Sequence, residues 1–175
     1  MSGAVGEPPV PRTLDEFMAL ALAMETAAAE RYAELADTMQ VHNNNETAEL
    51  FRRMARIELE HARQIRAQIA AGGGPEAARS CDATHAEAES APSEELHYLM
   101  LPYHALQIAL ANEKRAEQFF AQLAAVATSD AVRGAALRLC TEEREHVALI
   151  EAWLARVPVP QSDWADDPDP PRYTD

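Results

Sequence analysis

From Leu14 onward the apolar residues fall at alternating steps of four and three: Leu14, Met18 and Ala21, then Ala28, Tyr32, Leu35 and Met39, with Glu25 in the middle of the run. That spacing keeps one stripe of a helix turned toward its neighbours, as in the seam of a left-handed bundle. Thr13 followed by Glu16 is a capping-box pair that predicts where this helix begins, and the Asn43, Asn44, Asn45 run predicts where it turns. A second stripe reads Phe51, Met54, Glu58, His61, Ile65 and Gln68, and Gly72, Gly73, Gly74 and Pro75 stop it. A third reads Leu106, Ala109, Glu113, Ala116, Phe120 and Leu123. A fourth reads Val132, Ala136, Leu139, Glu143, His146, Ile150, Trp153 and Val157, with Ser129 or Asp130 as its cap.

Between the second and third stripes, Pro75 to Pro92 has no clear period. A connection of that length can run along a bundle, so the third helix need not be antiparallel to the second. Ser93 is the expected cap of a short helical lead, and Pro102 kinks or restarts the chain. The pattern therefore predicts an all-α four-helix bundle over residues 13–157. It is flanked by a flexible N-terminal segment, 1–12, and a Pro/Asp-rich extended tail, 158–175, which could drape through Trp164 on the bundle or on a neighbouring subunit. The two halves echo each other. Ala21-Leu22-Ala23-Met24-Glu25 aligns with Ala109-Leu110-Ala111-Asn112-Glu113, and Glu58-Leu59-Glu60-His61 aligns with Glu143-Arg144-Glu145-His146. A repeated helix pair predicts a pseudo-two-fold bundle.

Composition narrows the class. Hydrophobic residues make up 47% of the 175, but aromatics only 6%, and the abundance of alanine favours helix. Fifteen Lys and Arg against 29 Asp and Glu leave a formal charge of -14, a poor field for nucleic acid or anionic membrane and an attractive one for cations. Cys81 and Cys140 form no CxxC pair, so no zinc ribbon, rubredoxin-type centre or disulfide framework is expected. No signal peptide or membrane-length apolar run is legible, which makes a cytoplasmic protein the expectation.

Six polar residues interrupt the apolar stripes: Glu25, Glu58, His61, Glu113, Glu143 and His146. In each Glu-x-x-His the two side chains lie three apart and share a helix face. One such motif alone is usually a solvated face. Two copies on seam positions, matched by two lone seam glutamates, are a different matter. An ionised carboxylate taken from water costs several kcal/mol, about 20 in the idealised Born limit. Four in one core need compensating positive charge, and Lys and Arg do not occupy the seams. Two divalent cations would offset four carboxylates. A Glu from each of two helices and Glu-x-x-His from each of the other two is the ligand set of di-iron and di-manganese bundles. Oxygen and imidazole donors without thiolate favour iron or manganese.

Ala23-Met24-Glu25 with Arg31-Tyr32, Glu58-x-x-His61-Ala62, Glu113, and Glu143-x-x-His146 resemble the ligand helices of the rubrerythrin family over roughly Leu14 to Val157. The resemblance implies a ferritin-like bundle of two helix-pair repeats, with a long crossover between the second and third helices. It also implies a centre of two iron ions, with manganese or mixed iron/manganese as variants. Glu58 and Glu143 would bridge the metals, Glu25 and Glu113 would be terminal carboxylates, and His61 and His146 terminal imidazoles. The implied activity is reduction of hydrogen peroxide or dioxygen, with electrons from an external rubredoxin or flavoprotein, in a homodimer. A ferroxidase or iron-storage role is the alternative.

Two departures qualify the resemblance. Rubrerythrins proper carry a rubredoxin domain with paired CxxC motifs, and an extra glutamate three residues after the third-helix ligand. Here no such domain is legible, and that position is Ala116, which weakens the peroxidase reading. Glu117, one residue on, could substitute for it in part but is expected to face water. Tyr32, two turns beyond Glu25, is either a hydrogen-bond partner of a ligand carboxylate or a core aromatic, and Phe120 takes the matching place in the repeat. Glu60, Glu145, His42, His85, His97 and His104 are expected at the surface, Cys140 as a buried filler, and Arg52, Arg53 and Arg56 in pairs with acidic side chains.

Overall fold

The computed structural model describes residues 10–72 and 100–161. Among them are four α-helices and no strand: α1 (Leu14–Val41), α2 (Asn45–Gly72), α3 (Pro102–Val126) and α4 (Asp130–Leu154). The expected Ser93 lead, Cys81, His85, His97, Trp164, the whole Pro75–Pro92 connection and most of both terminal segments lie outside the described residues. No helix among those described is long and apolar enough to cross a membrane.

Local chemistry sets the helix ends. Thr13 Oγ1 accepts from the Glu16 N–H at 3.2 Å, and Glu16 Oε2 accepts from the Thr13 N–H at 3.3 Å, closing the reciprocal cap. At the other end of α1, Asn43 adopts φ 58°, a left-handed conformation that asparagine tolerates better than most side chains. This lets the Asn44 N–H reach Met39 O and the Asn43 N–H reach Gln40 O, the two bonds of a Schellman closure. Asn45 is already the first residue of α2. Pro102 restarts the chain as the first residue of α3, where its missing N–H costs nothing. Of the two expected caps of α4, Ser129 fills the position, its Oγ accepting from the Val132 N–H.

The helices pack as two pairs, α1 on α2 and α3 on α4, with much closer backbone approach within a pair than between pairs. Two apolar clusters occupy opposite ends of the bundle. One joins Phe17, Met18 and Ala21 to Ile65, Phe120, Leu123 and Leu139; the other joins Tyr32, Leu35 and Met39 to Phe51, Met54, Leu106 and Ile150. Phe17, Phe51 and Phe120 are fully buried, and truncating any of them to alanine should cost about 3–5 kcal/mol. The membership of these clusters orients the chain. The end of α2 lies with the start of α1, whereas α3 starts beside the end of α1. Thus α2 and α3 run parallel, the crossover arrangement of a ferritin-like bundle.

The seams are met in outline, with two exceptions at their ends. Leu14 is exposed, and Gln68 is exposed while Ile69 takes the inward place. A 3.6-residue period allows steps of three or four from Ile65, and the apolar side chain wins the core side.

Candidate metal centre

Between the two apolar clusters lies a layer made of Glu25, Glu58, His61, Glu113, Glu143 and His146, which the four helices bring together at mid-bundle. The contacts form one chain across the helix pairs. His61 Nδ1 is 3.5 Å from Glu25 Oε2 and 3.7 Å from Glu58 Oε2. His146 Nδ1 is 3.1 Å from Glu58 Oε1, 3.2 Å from Glu113 Oε2 and 3.5 Å from Glu143 Oε2. The imidazoles lie face to face, their centroids 5.6 Å apart and their planes 10° off parallel. Glu58 is therefore shared, touching the histidine of each half.

All four carboxylates are buried, Glu58 at 1% exposure and Glu25 at 2%, and so is His146. His61 departs from a uniformly dry interior, with its side chain 19% exposed. The reason is local: a cavity of about 60 Å³ opens beside it between α1, α2 and α4. Glu142, which the sequence reading passed over, lines that cavity and brings Oε2 to 3.9 Å from His61 Nδ1. It sits one residue before a seam position, about 100° around the helix. Only the packing of α4 against α2 shows that this flank also faces the centre. A doubled Glu-Glu before His146 was the one signal available.

Tyr32 resolves to the hydrogen-bonding reading. Its ring is buried and stacks on Phe51, and its hydroxyl donates a hydrogen bond to Glu113 Oε1. Glu117 is a correction. It is half-buried and takes a hydrogen bond from Arg144 Nε at 2.9 Å, so it faces a guanidinium and not open water. Arg52 and Arg56 pair with Glu49, Glu60 is held by Arg63 and Gln64, and Glu145 is exposed. His42 is exposed; His104 is half-buried, its Nδ1 accepting from the Leu101 N–H at 3.3 Å. Cys140 is buried beside Arg144. Asn112, also missed, is buried next to Glu113 and accepts from Arg115.

Electrostatics describe a protein core short of positive charge. Burial pushes the Glu25 carboxyl up to about 8, and burial likewise holds Glu143 well above the usual carboxylate range. Burial would raise Glu58 too, but the closeness of His146, then of His61 and Glu25, outweighs it and keeps Glu58 at about 2. His61 is raised to about 10 by Glu25 and then Glu58. Burial opposes charge on His146, yet Glu113, Glu143 and Glu58 together raise it strongly. Without other cations, the layer can be neutral only by keeping protons on its imidazoles and on some of its carboxyls.

The residues fit a metal pair on a direct observation. Both oxygens of Glu25, both of Glu58 and Nδ1 of His61 are buried with no hydrogen-bond partner. The short His146–Glu58 approach lacks the alignment of a hydrogen bond. Unpaired buried carboxylate oxygens are costly and rare, and clustered ones aimed at one place suit a cation. Two groups of side chains could each hold an ion: Glu58, His61 and His146; and Glu113, Glu143 and His146. These donors are carboxylate and imidazole only, a set suited to iron or manganese.

A crystal structure of an uncharacterised conserved protein from Magnetospirillum magnetotacticum MS-1 is similar to this chain, at 39% identity and a TM-score of 0.73. The match covers 85% of this chain and 98% of that one. No functionally curated protein matches it. The rubrerythrin family profile matches residues 16–154, a span that holds all four helices but the first two residues of α1, and every one of the six clustered side chains. The chain belongs to the rubrerythrin family.

Proposed function

We propose that this protein is a non-haem di-iron redox protein that reduces hydrogen peroxide or dioxygen with electrons delivered by an external donor such as a rubredoxin or flavoprotein. The observation that carries the reading is the mid-bundle layer of four buried glutamates and two histidines, with the oxygens of Glu25 and Glu58 left without donors. Glu25, Glu58 and His61 would hold one iron, and Glu113, Glu143 and His146 the other. A bound pair of ferrous ions supplies two electrons to an O–O bond.

The protein's own residues prepare that chemistry. The two apolar clusters above and below the layer exclude bulk water. Tyr32 holds Glu113 in one orientation and keeps a hydroxyl proton in the core, since burial and then Glu113 raise its pKa well above the phenol value. His61, the most exposed of the six, faces the cavity by which small molecules reach the layer. These 175 residues hold no CxxC pair, and electron delivery is assigned to a separate donor.

Rapid mixing of the anaerobically iron(II)-loaded protein with hydrogen peroxide tests the reading. Ferrous iron should disappear within seconds, at about one peroxide per two irons, and return on adding reduced rubredoxin or a flavoprotein reductase. Iron that stays ferrous sinks the peroxidase. A second reading, ferritin-like iron oxidation for detoxification or storage, is favoured by Ala116, which leaves a nearly symmetric six-residue layer. Sizing chromatography with metal analysis separates the two: a dimer with about two irons per chain argues for the redox enzyme, a large iron-filled shell for storage.

A further inference from the structure

Five of the six clustered side chains are buried. His61 alone shows appreciable exposure, and the cavity of about 60 Å³ beside it has room for a few water molecules. Phe17 contributes an apolar wall, while Gln64, Gln68, Arg138 and Glu142 give the opening a polar lining. Glu142 is the group in that lining with formal negative charge. Its side chain is 43% exposed, yet Oε2 lies 3.9 Å from His61 Nδ1, the same imidazole atom that Glu25 approaches at 3.5 Å. One carboxylate thus reaches both solvent and the centre. Behind it, the Glu25 oxygens are buried and without hydrogen-bond partners.

We propose that this cavity is the port through which divalent cations reach the centre, with Glu142 as the carboxylate that receives them and passes them to His61 and Glu25. The inference rests on reading the layer as a metal site, and not on the redox reaction assigned to it. A neutral oxidant gains nothing from a fixed negative charge in the cavity lining, whereas a dication is drawn in and has its lost hydration replaced by oxygen donors. Glu142 is a positioning group for transfer and no permanent ligand, because the inner positions are already filled by Glu25, Glu58 and His61. Arg138, one turn earlier on α4, places a positive charge on the same opening and opposes the passage of a cation. Neutralising the two residues must therefore have opposite effects.

The experiment follows cobalt(II) uptake by the metal-free full-length protein in a stopped-flow absorbance instrument, with cobalt per chain measured at equilibrium. In E142Q the uptake rate should fall about tenfold, the scale of electrostatic steering, with the final cobalt content unchanged. R138Q should load faster than wild type by a few-fold, and both differences should shrink in high salt. E145Q, which removes an exposed carboxylate of α4 that does not line the cavity, should load like wild type. Wild-type rates in E142Q would overturn the port, and so would a loss of bound cobalt at equilibrium in E142Q, since that is the behaviour of an ordinary ligand. A wild-type protein that takes up no cobalt would overturn the metal centre itself and the port with it, whereas failure of the peroxide reaction alone would leave the port standing.

Discussion

The two halves of the centre come from the same repeated pattern, a lone glutamate on one helix and Glu-x-x-His on the next, yet they have different surroundings. Around His146 the layer is closed: Glu113 is hydrogen-bonded by Tyr32 and approached by His146, and all three side chains of that half are buried. Around His61 it is open: Glu25 has no hydrogen-bond partner, and the imidazole borders a cavity. The difference traces to few residues. Tyr32 reaches across from α1 to Glu113 on α3, while its counterpart in the repeat, Phe120, packs edge-on against Phe17 and has no hydroxyl to offer Glu25. A duplicated ligand pattern therefore does not make equivalent positions. The pattern determines which groups converge, and their neighbours determine how tightly each is held.

The largest test of this asymmetry compares the histidines. His146 contacts three buried carboxylates and belongs to both groups of side chains suited to an ion, whereas His61 belongs to one. H146A should lose both metals and cost about 3–5 kcal/mol in the metal-free protein, because it strands buried carboxylates. H61A should keep close to one metal per chain and cost less than half as much. Metal analysis and urea denaturation of the two variants decide this, and equal losses would mean that the halves are equivalent after all.

Next in size is Tyr32→Phe, which makes the two halves alike. It removes a buried donor from a carboxylate and should destabilise by about 1.5–3 kcal/mol. It should also broaden the difference between tight and weak metal positions into two weak ones, seen by isothermal titration. Phe120→Tyr is the converse probe, expected to tighten the position at Glu25 if the new hydroxyl finds it.

A further test is the pH dependence of the metal-free protein. His61 is raised to about 10, so the stability it contributes is complete below its unfolded value of 6.5 and is lost as pH climbs through 10. Glu25 acts in the same direction: its pKa rises from 4.5 to about 8, so folding retains a proton the unfolded chain gives up, and stability falls as pH rises between those values. Glu58 has the opposite sign, its contribution being present above 4.5 and lost as pH falls toward 2. Chemical denaturation at a series of pH values should show stability decreasing from about 4.5 upward, first through Glu25 and above 6.5 through His61 as well, with the second part less steep in H61A. Metal binding competes with these protons, so uptake should release them and should strengthen with pH over the same window.

Much of this was legible in the sequence. Caps at Thr13 and Ser129, the restart at Pro102, and the four stripes follow from local chemistry and the 3.6-residue period, both properties of short stretches of chain. The six convergent side chains were legible for the same reason, since an acidic residue on an otherwise apolar seam has nowhere to point but inward. Tyr32 could be placed near the centre but not given a partner, because Glu113 is 81 residues away and belongs to a different helix pair. Glu117 was misjudged for a similar reason, because Arg144 comes to it from α4.

By itself, then, the order of residues determined the helices, the faces they bury and the kind of chemistry gathered in the core, because hydrophobic spacing and capping act over a few residues. Only the tertiary structure decided that Glu142 borders the centre, that His61 is reachable from solvent and that Tyr32 serves one half alone. Those outcomes depend on how closely separate helices approach and on what fills the space between them, and no periodicity within one helix encodes that distance.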